Sequence, residues 1–248
     1  MVQYKTEAIV LRLRKYRESD ALVTILTQSR GKISCVARGI YKPSSSLRGG
    51  TQPYSTNAMM LNEGRSSLHT LIQSECLDMH TTIRQSYEAM TLGTYWAELL
   101  ENFSQEELAD EELYVLAKAG FHSLVENACP LMAAVLEIRL IQQQGLRPDL
   151  QSCSHCGHKL EQEKYSVFSS QEGGFLCASC SVYDPRGIKL GVAVPQLWQS
   201  LENIGIDKIK RVTVPGYQLK ELETALRQWI MHHTGRPMHT WQLMRDKL

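Results

Sequence analysis

The sequence of 248 residues predicts an α+β protein in which a small N-terminal β-barrel precedes a helical domain with a cysteine-rich insertion. Three observations lead to this fold class. Short β-prone segments, separated by turns rich in glycine and serine, fill the first part of the chain. Apolar residues then recur at helical spacing. Two Cys-x-x-Cys pairs interrupt this helical part.

Five segments at the N-terminal end have β-strand character: residues 6–11, 22–27, 32–37, 57–61 and 67–75. Gly31 and the serine-rich stretch 39–53 break the chain between them. Five short strands of this kind favour a small closed barrel, and the five-stranded barrel that commonly binds oligonucleotides is the OB-fold. An SH3-like barrel would give a similar pattern, so the strand topology stays open between the two.

The remainder of the chain predicts an α-helical bundle. Apolar stripes indicate helices over residues 83–103, 111–125, 131–144, 194–204 and 219–230. Asp110 is placed to cap the second helix, Pro130 to open the third and Gly145 to close it. The predicted domains are a barrel at 1–80, a first helical part at 81–150, a metal-binding insertion at 151–181 and a second helical part at 182–248.

The insertion carries four cysteines at the spacing of a zinc ribbon: Cys153, Cys156, Cys177 and Cys180. Two residues between thiolates let one turn present both sulfurs to one ion, and Gly157 supplies the backbone freedom that such a turn needs. Four thiolates complete a tetrahedral shell with no open position, which predicts one structural Zn²⁺. Two Cys-x-x-Cys pairs that occur by chance, or redox dithiols, are the alternatives, and His155 or His158 could replace a sulfur.

Charge is unevenly distributed along the chain. Residues 1–80 hold 11 Lys and Arg against 6 Asp and Glu, whereas residues 81–150 hold 4 against 11. A basic barrel followed by an acidic segment suggests a polyanionic partner for the barrel. The predicted DNA contacts are therefore the cations near the strand ends, with one aromatic residue among them: Arg14, Lys15, Lys32, Arg38, Tyr41, Lys42 and Arg48. An ordinary solvated face is the alternative interpretation.

The sequence lacks several motifs that are typical of enzymes. The chain has no His-Glu-x-x-His metalloprotease motif, no phosphate-binding P-loop and no Gly-x-Ser-x-Gly nucleophile motif, so we expect a protein that is not an enzyme. No apolar run is long enough for a membrane span, and the N-terminus does not resemble a signal peptide. Three cysteines outside the zinc ribbon and no export signal favour a reducing cytoplasm.

Motifs along the whole chain resemble those of the RecO family of bacterial recombination mediators. In the barrel these are residues 20–28, Gly31-Lys32, Ala37-Arg38-Gly39, Lys42-Pro43, Leu47 and Gln52-Pro53-Tyr54. In the helical part they are 137–140, Gly145-Leu146, Pro148, Leu150, Cys153 and Cys156-Gly157, followed by Gly235-Arg236-Pro237 and 240–243. The chain departs from the family in the loop after Pro43, which is serine-rich and has Arg48 as its one cation.

This resemblance implies an OB-fold, a helical domain and a zinc module. It implies binding of single- and double-stranded DNA, annealing of complementary strands and a place in recombinational DNA repair in the cytoplasm, at the nucleoid. It also implies partnership with RecR and with the acidic C-terminal tail of single-stranded-DNA-binding protein, which leads to RecA loading. A non-catalytic adaptor with a structural zinc ribbon and no direct DNA role is the alternative.

Arg139 is the predicted contact for that acidic tail. The negative charge of residues 81–150 requires the tail to dock on a local apolar pocket beside a cation, and Arg139 and Arg147 are the cations near the third helix. An ion pair of Arg139 within the bundle is the alternative.

Overall fold

A computed structural model describes residues 2–64 and 67–241, so part of the motif at 240–243 lies outside the described residues. Five strands form the N-terminal barrel: β1 (Gln3–Lys15), β2 (Ala21–Thr27), β3 (Gly31–Ala37), β4 (Thr56–Asn62) and β5 (Leu68–Asp78). They close in the order β1-β2-β3-β5-β4, with β3 and β5 parallel and β4 returning antiparallel to β1. This order is that of the OB-fold, which confirms the predicted barrel.

Strand β1 is much longer than its apolar segment predicted. Its first half pairs with β4 and its second half with β2, and the register shifts at Leu11 between Val10 and Arg12. The polar residues at both ends of the strand hide its length from a search for apolar alternation. Inward-facing side chains of all five strands fill the barrel, among them Val10, Ile25, Ile33, Met59 and Leu71.

Two helices belong to the same compact unit as the barrel: α1 (Tyr87–Phe103) and α2 (Glu111–Glu126). Asp110 caps α2 as predicted, because its carboxylate accepts the N–H of Leu113 at 2.9 Å. The helices touch closely at Gly120, where an added Cβ would lie 2.4 Å from Nε1 of Trp96. Glu7 of β1 accepts hydrogen bonds from Tyr114 and Lys118, and these bonds attach α2 to the barrel.

A second compact unit spans residues 130–237. Its helices are α3 (Pro130–Gln143), α4 (Ala193–Glu202) and α5 (Gly216–Thr234). A hairpin forms from β6 (Tyr165–Ser169) and β7 (Gly174–Leu176), and a third strand, β8 (Ile188–Gly191), pairs with β6. Aromatic rings join sheet to helices: Phe168 lies 6.3 Å from Trp198 and 5.6 Å from Trp229 between ring centroids.

The compact units differ from the four predicted domains in two ways. Among the described residues, those up to 129 cluster with residues 238–241, so α1 and α2 group with the barrel and not with the later helices. The ribbon sheet extends past residue 181 through β8. Within the described part of the chain, no helix combines the length and the apolar character that crossing a bilayer requires.

Candidate metal centre and nucleic-acid interface

The four predicted cysteines meet in one cluster. Their sulfur atoms all lie within 4.8 Å of one another, and Sγ of Cys156 is 3.8 Å from Sγ of Cys177. A tetrahedron with Zn–S bonds of about 2.3 Å has sulfur–sulfur edges of about 3.8 Å, so the cluster has the size of a metal site. Cys153, Cys177 and Cys180 are buried and Cys156 is exposed. The four residues therefore fit a tetrahedral metal ion.

Local backbone geometry holds the first pair of cysteines. The N–H of Gly157 donates to the carbonyl of Cys153 at 2.9 Å, and Gly157 has the positive φ of +74° that its position predicted. The two nearby histidines make other contacts. His155 stacks on Tyr183 with ring centroids 3.8 Å apart, and Nε2 of His158 lies 3.4 Å from a carboxylate oxygen of Glu163. The sulfur-only ligand set is the one that the structure assembles.

The pKa values of the cysteine thiols in the cluster shift in opposite directions. Burial opposes ionisation of Cys153, but hydrogen bonds from the backbone N–H groups of Cys177, Cys156 and His155 lower its pKa to about 7. Burial raises the pKa of Cys177 and of Cys180, and the neighbouring thiols raise the pKa of Cys180 further. Four thiolates so close together repel one another, so their joint ionisation requires a cation among them. Tetrahedral four-sulfur sites select zinc or iron–sulfur centres.

The outer face of β1, β2, β3 and β5 carries a groove of about 340 Å³. The strand register places Arg12, Thr24, Ser34 and Leu68 in one row across the four strands. The next row begins with Arg14, opposite Leu22. The first row lines the groove, together with Arg14 and Leu22 of the second row and with Tyr16 and Glu101. The face of strands 2 and 3 is where OB-folds bind oligonucleotides.

The loops at one end of this face bring several of the predicted cations together. The N–H of Gly39 donates to a carboxylate oxygen of Asp20 at 2.8 Å, and the N–H of Tyr41 donates to the carbonyl of Ser19. The bond from Gly39 lowers the pKa of Asp20, as do the nearby charges of Arg17 and Arg38. The turn after β1 and the segment after β3 therefore form one basic rim, to which Arg14, Lys15, Arg17, Arg38 and Lys42 contribute.

Six of the seven predicted DNA contacts are exposed: Arg14, Lys15, Arg38, Tyr41, Lys42 and Arg48. Arg48 also has a local role, since its guanidinium donates to the carbonyl of Tyr41 at 3.1 Å and so ties the serine-rich loop together. Sequence reasoning left out Arg12, Tyr16 and Arg17 as contacts. The sequence does show Tyr16 next to Arg17 among the cations near the end of the first strand. In the structure Tyr16 is exposed, and the guanidinium of Arg17 lies 5.1 Å from the centroid of its ring.

Lys32 corrects the sequence prediction. It is only 7% exposed, and its ammonium donates to the backbone carbonyls of Glu101 at 2.8 Å and Ser104 at 3.0 Å. These carbonyls lie at the C-terminal end of α1, where the last backbone carbonyls have no N–H donor within the helix. A cation there donates to these carbonyls and interacts favourably with the negative end of the helix dipole. Lys32 therefore caps a helix and is not available to a phosphate group.

Glu101 brings negative charge into the groove. Its carboxylate forms an ion pair with Arg12, and the side chain of Glu101 is 19% exposed while that of Arg12 is 59% exposed.

A larger hollow of about 580 Å³ lies on the outer face of β1, β4 and β5. It is lined by Lys5 together with Glu7 and Glu75, so it offers a polyanion less positive charge than the basic rim does.

Arg139 is half-buried on α3 and donates to the carbonyl of Ile204 at 2.7 Å. Burial lowers the pKa of Arg139 from its usual value. Arg147, the other cation near this helix, forms a two-bond pair with Glu202 at 2.7 and 3.0 Å. A guanidinium has five N–H donors, so Arg139 keeps donors for a further acceptor.

Comparison with known proteins gives a consistent result along the chain. The family model "Recombination protein O N terminal" matches residues 1–80, and the model "Recombination protein O C terminal" matches residues 84–242. The DNA repair protein RecO of Desulforamulus reducens is 31% identical over 245 residues, which cover 99% of this chain and 94% of that protein. The RecO of Alkaliphilus metalliredigens is 32% identical over 94% of each chain. That of Bacillus pumilus is 28% identical over 93% of this chain and 89% of its own.

Proposed function

Because this chain belongs to the RecO family, we propose that it is a non-catalytic mediator of recombinational DNA repair. In this role it binds single- and double-stranded DNA, anneals complementary strands and helps to load RecA on DNA coated by single-stranded-DNA-binding protein. RecR and the acidic tail of the coating protein are its protein partners, and the cytoplasm, at the nucleoid, is its place of action.

The observation that carries this proposal is the basic rim beside the outer face of strands β1 to β3. Arg14 starts one row of that face, while Arg38 and Lys42 follow β3. Cations at a rim bind phosphates without reading sequence, and this suits a protein that acts on any exposed strand. Tyr16 and Tyr41 are exposed at the same end and supply rings on which a base can stack.

Zinc is the metal that we propose for the cysteine cluster, as one structural ion per chain. Support comes from the four-sulfur ligand set, its tetrahedral size and the buried position of three of the ligands. A closed shell leaves no site for a substrate. When bound, the ion would offset part of the negative charge of the four thiolates and hold the two Cys-x-x-Cys turns together.

The proposed contact for the acidic tail remains Arg139. Its spare donors and partial burial favour a carboxylate partner, because a partly desolvated cation interacts more strongly with an opposite charge. Arg147 is a poorer candidate, since Glu202 already occupies its guanidinium.

A titration with single-stranded DNA at several salt concentrations tests the DNA role. Replacing Arg38 and Lys42 together by alanine should weaken binding uniformly across sequences. Each lost phosphate contact lowers the salt slope of binding by roughly 0.7, so the double variant should lose roughly 1.4 at most. Strand annealing should slow in parallel.

The matched control removes two exposed cations from the second compact unit, Lys208 and Lys210. That variant should keep both its affinity and its salt slope. If the two double variants behave alike, or if only the control loses affinity, the DNA surface does not lie on the barrel rim. An adaptor with no DNA role would show weak binding without the salt dependence of phosphate contacts.

A further inference from the structure

Glu101 is an unexpected group in a groove that is proposed to hold a polyanion. Its carboxylate lines the groove beside Arg12 and Arg14 and forms an ion pair with Arg12. A partly exposed carboxylate beside a phosphate lowers affinity, because like charges a few ångströms apart repel each other. The fold does not need the side chain for capping, since Lys32 binds the backbone carbonyl of Glu101 and not its carboxylate.

The remainder of the groove suits bases better than phosphates. Its lining includes small polar and apolar side chains, with Thr24, Ser34 and Leu68 in one row and Leu22 in the next. Tyr16 adds an aromatic ring. A carboxylate can accept a hydrogen bond from the amino group of a base, as acidic residues do with cytosine N4. Arg12 and Arg14 also line the groove, but the other cations suited to phosphates lie at the rim, at the end of β1 and on the loops that follow β1 and β3.

We infer that Glu101 is a specificity-determining residue that makes this groove accept base edges and reject phosphates, and so favours single strands over duplex DNA. This inference rests on the proposed DNA function. A single strand can turn its bases into the groove while its phosphates follow the rim. A duplex keeps its bases paired and presents phosphates on its outside. Glu101 repels these phosphates, and its ion pair with Arg12 keeps Arg12 from binding them.

The test compares Glu101→Gln with the wild-type protein on one single-stranded oligonucleotide and on its duplex, by fluorescence anisotropy at several salt concentrations. Affinity for the duplex should rise about five-fold, the effect of removing one like charge at about 4 Å in water. Its salt slope should steepen by roughly 0.9 as Arg12 becomes available to a phosphate. Affinity for the single strand should change by less than about two-fold, so the preference for single strands should shrink.

Glu88→Gln is the matched control, because it removes the same charge from the opposite end of the same helix, about 20 Å away at 1.5 Å per residue. It should leave both affinities unchanged. A second comparison, Arg12→Ala with and without Glu101→Gln, separates repulsion by the carboxylate from the release of Arg12. The gain in duplex affinity should persist, in reduced form, without Arg12.

Three results would overturn the inference: equal gains on both substrates, no change on either substrate in a folded variant, or a gain that vanishes without Arg12. Failure of the proposed function looks different, since the wild-type protein would then bind neither DNA in a salt-dependent way. Thermal melting of each variant checks that it is folded.

Discussion

At the scale of single residues, two lysines in the same basic segment have opposite roles. Lys42 is exposed in the loop after β3, whereas Lys32 is buried against the end of α1. The segment 105–107 follows α1 and hydrogen-bonds to both backbone groups of Lys32. Because Ile33 points into the barrel core, Lys32 lies on the outer face, but another element covers that part of the outer face. Exposure therefore separates the cations proposed to bind DNA from the structural one.

Lys32→Met should lower the free energy of unfolding by about 3 kcal/mol, because buried carbonyls of α1 lose a charged hydrogen-bond donor. The salt slope of DNA binding should stay at the wild-type value. Denaturant unfolding and a DNA titration on the same sample measure the two quantities.

Lys42→Ala is the control for that variant, with the reverse profile. Its stability should stay within about 0.5 kcal/mol of wild type, as for most surface changes. Its salt slope should fall by roughly 0.7. A Lys32 variant of normal stability with a reduced slope would show that the buried cap is not the role of this residue.

At the scale of elements, the sheet of the ribbon packs against helices, whereas a free-standing metal module has no such neighbours. Phe168 and Phe175 of its sheet pack with Trp198 of α4, and Phe168 also packs against Trp229 of α5. The sheet gains a third strand from β8. The cysteine-bearing turns lie outside this aromatic core, and the proposed metal ion would join them. Loss of the metal should therefore destabilise mainly the two cysteine-bearing turns and leave the sheet and the helices folded.

Removal of the metal by a chelator should release one Zn²⁺ per chain and speed hydrogen exchange at residues 152–158 and 177–183. Strand β6, α5 and the barrel should keep their protection, because their cores contain no metal ligand. Mass-spectrometric hydrogen exchange with metal analysis follows both effects.

Cys76→Ser is the control for the metal site, since Cys76 lies outside the cluster and the variant should retain its zinc. Cys156→Ser should lose most of it. Freshly purified, reduced protein that contains no zinc, or that shows the visible absorption of an iron–sulfur cluster, would contradict the zinc assignment.

At the scale of the whole molecule, charge is unevenly distributed between the barrel and the segment that follows it. The barrel carries the basic rim, whereas residues 81–150 carry 11 acidic residues against 4 basic ones. A nucleic acid is attracted to the first and repelled by the second. An acidic peptide that approaches the helical part needs a local cation, and this is the reason for assigning that contact to Arg139.

Arg139→Ala should weaken binding of a peptide with the acidic tail of single-stranded-DNA-binding protein by about ten-fold or more, as loss of a charged hydrogen bond of about 1.5–3 kcal/mol implies. DNA affinity should stay unchanged. Isothermal titration with the tail peptide measures the effect, and Lys208→Ala, an exposed cation of the same compact unit, is the control. Unchanged peptide affinity in a folded Arg139 variant would remove this residue from the proposed contact.

Local patterns in the sequence were enough to predict much of this protein. The five strands, the cap at Asp110 and the turn at Gly157 depend on residues close together in the chain. The ligand set of the cysteine cluster depends on a spacing that only a few folds use. The strands, the cap and the turn are visible in the sequence because their energetic causes lie within a few residues of each other. The ligand set is visible because each cysteine pair is local and the spacing of the two pairs is characteristic of a metal site.

Other features were decided only by the tertiary structure. Lys32 meets carbonyls about seventy positions away, β8 joins a sheet beyond the expected end of the ribbon, and Glu101 reaches a groove built by strands far earlier in the chain. Helices α1 and α2 follow the barrel in sequence like the later helices, yet they pack with the barrel. These outcomes arise from contacts between distant segments, and no local periodicity or composition encodes which distant surface a side chain will meet.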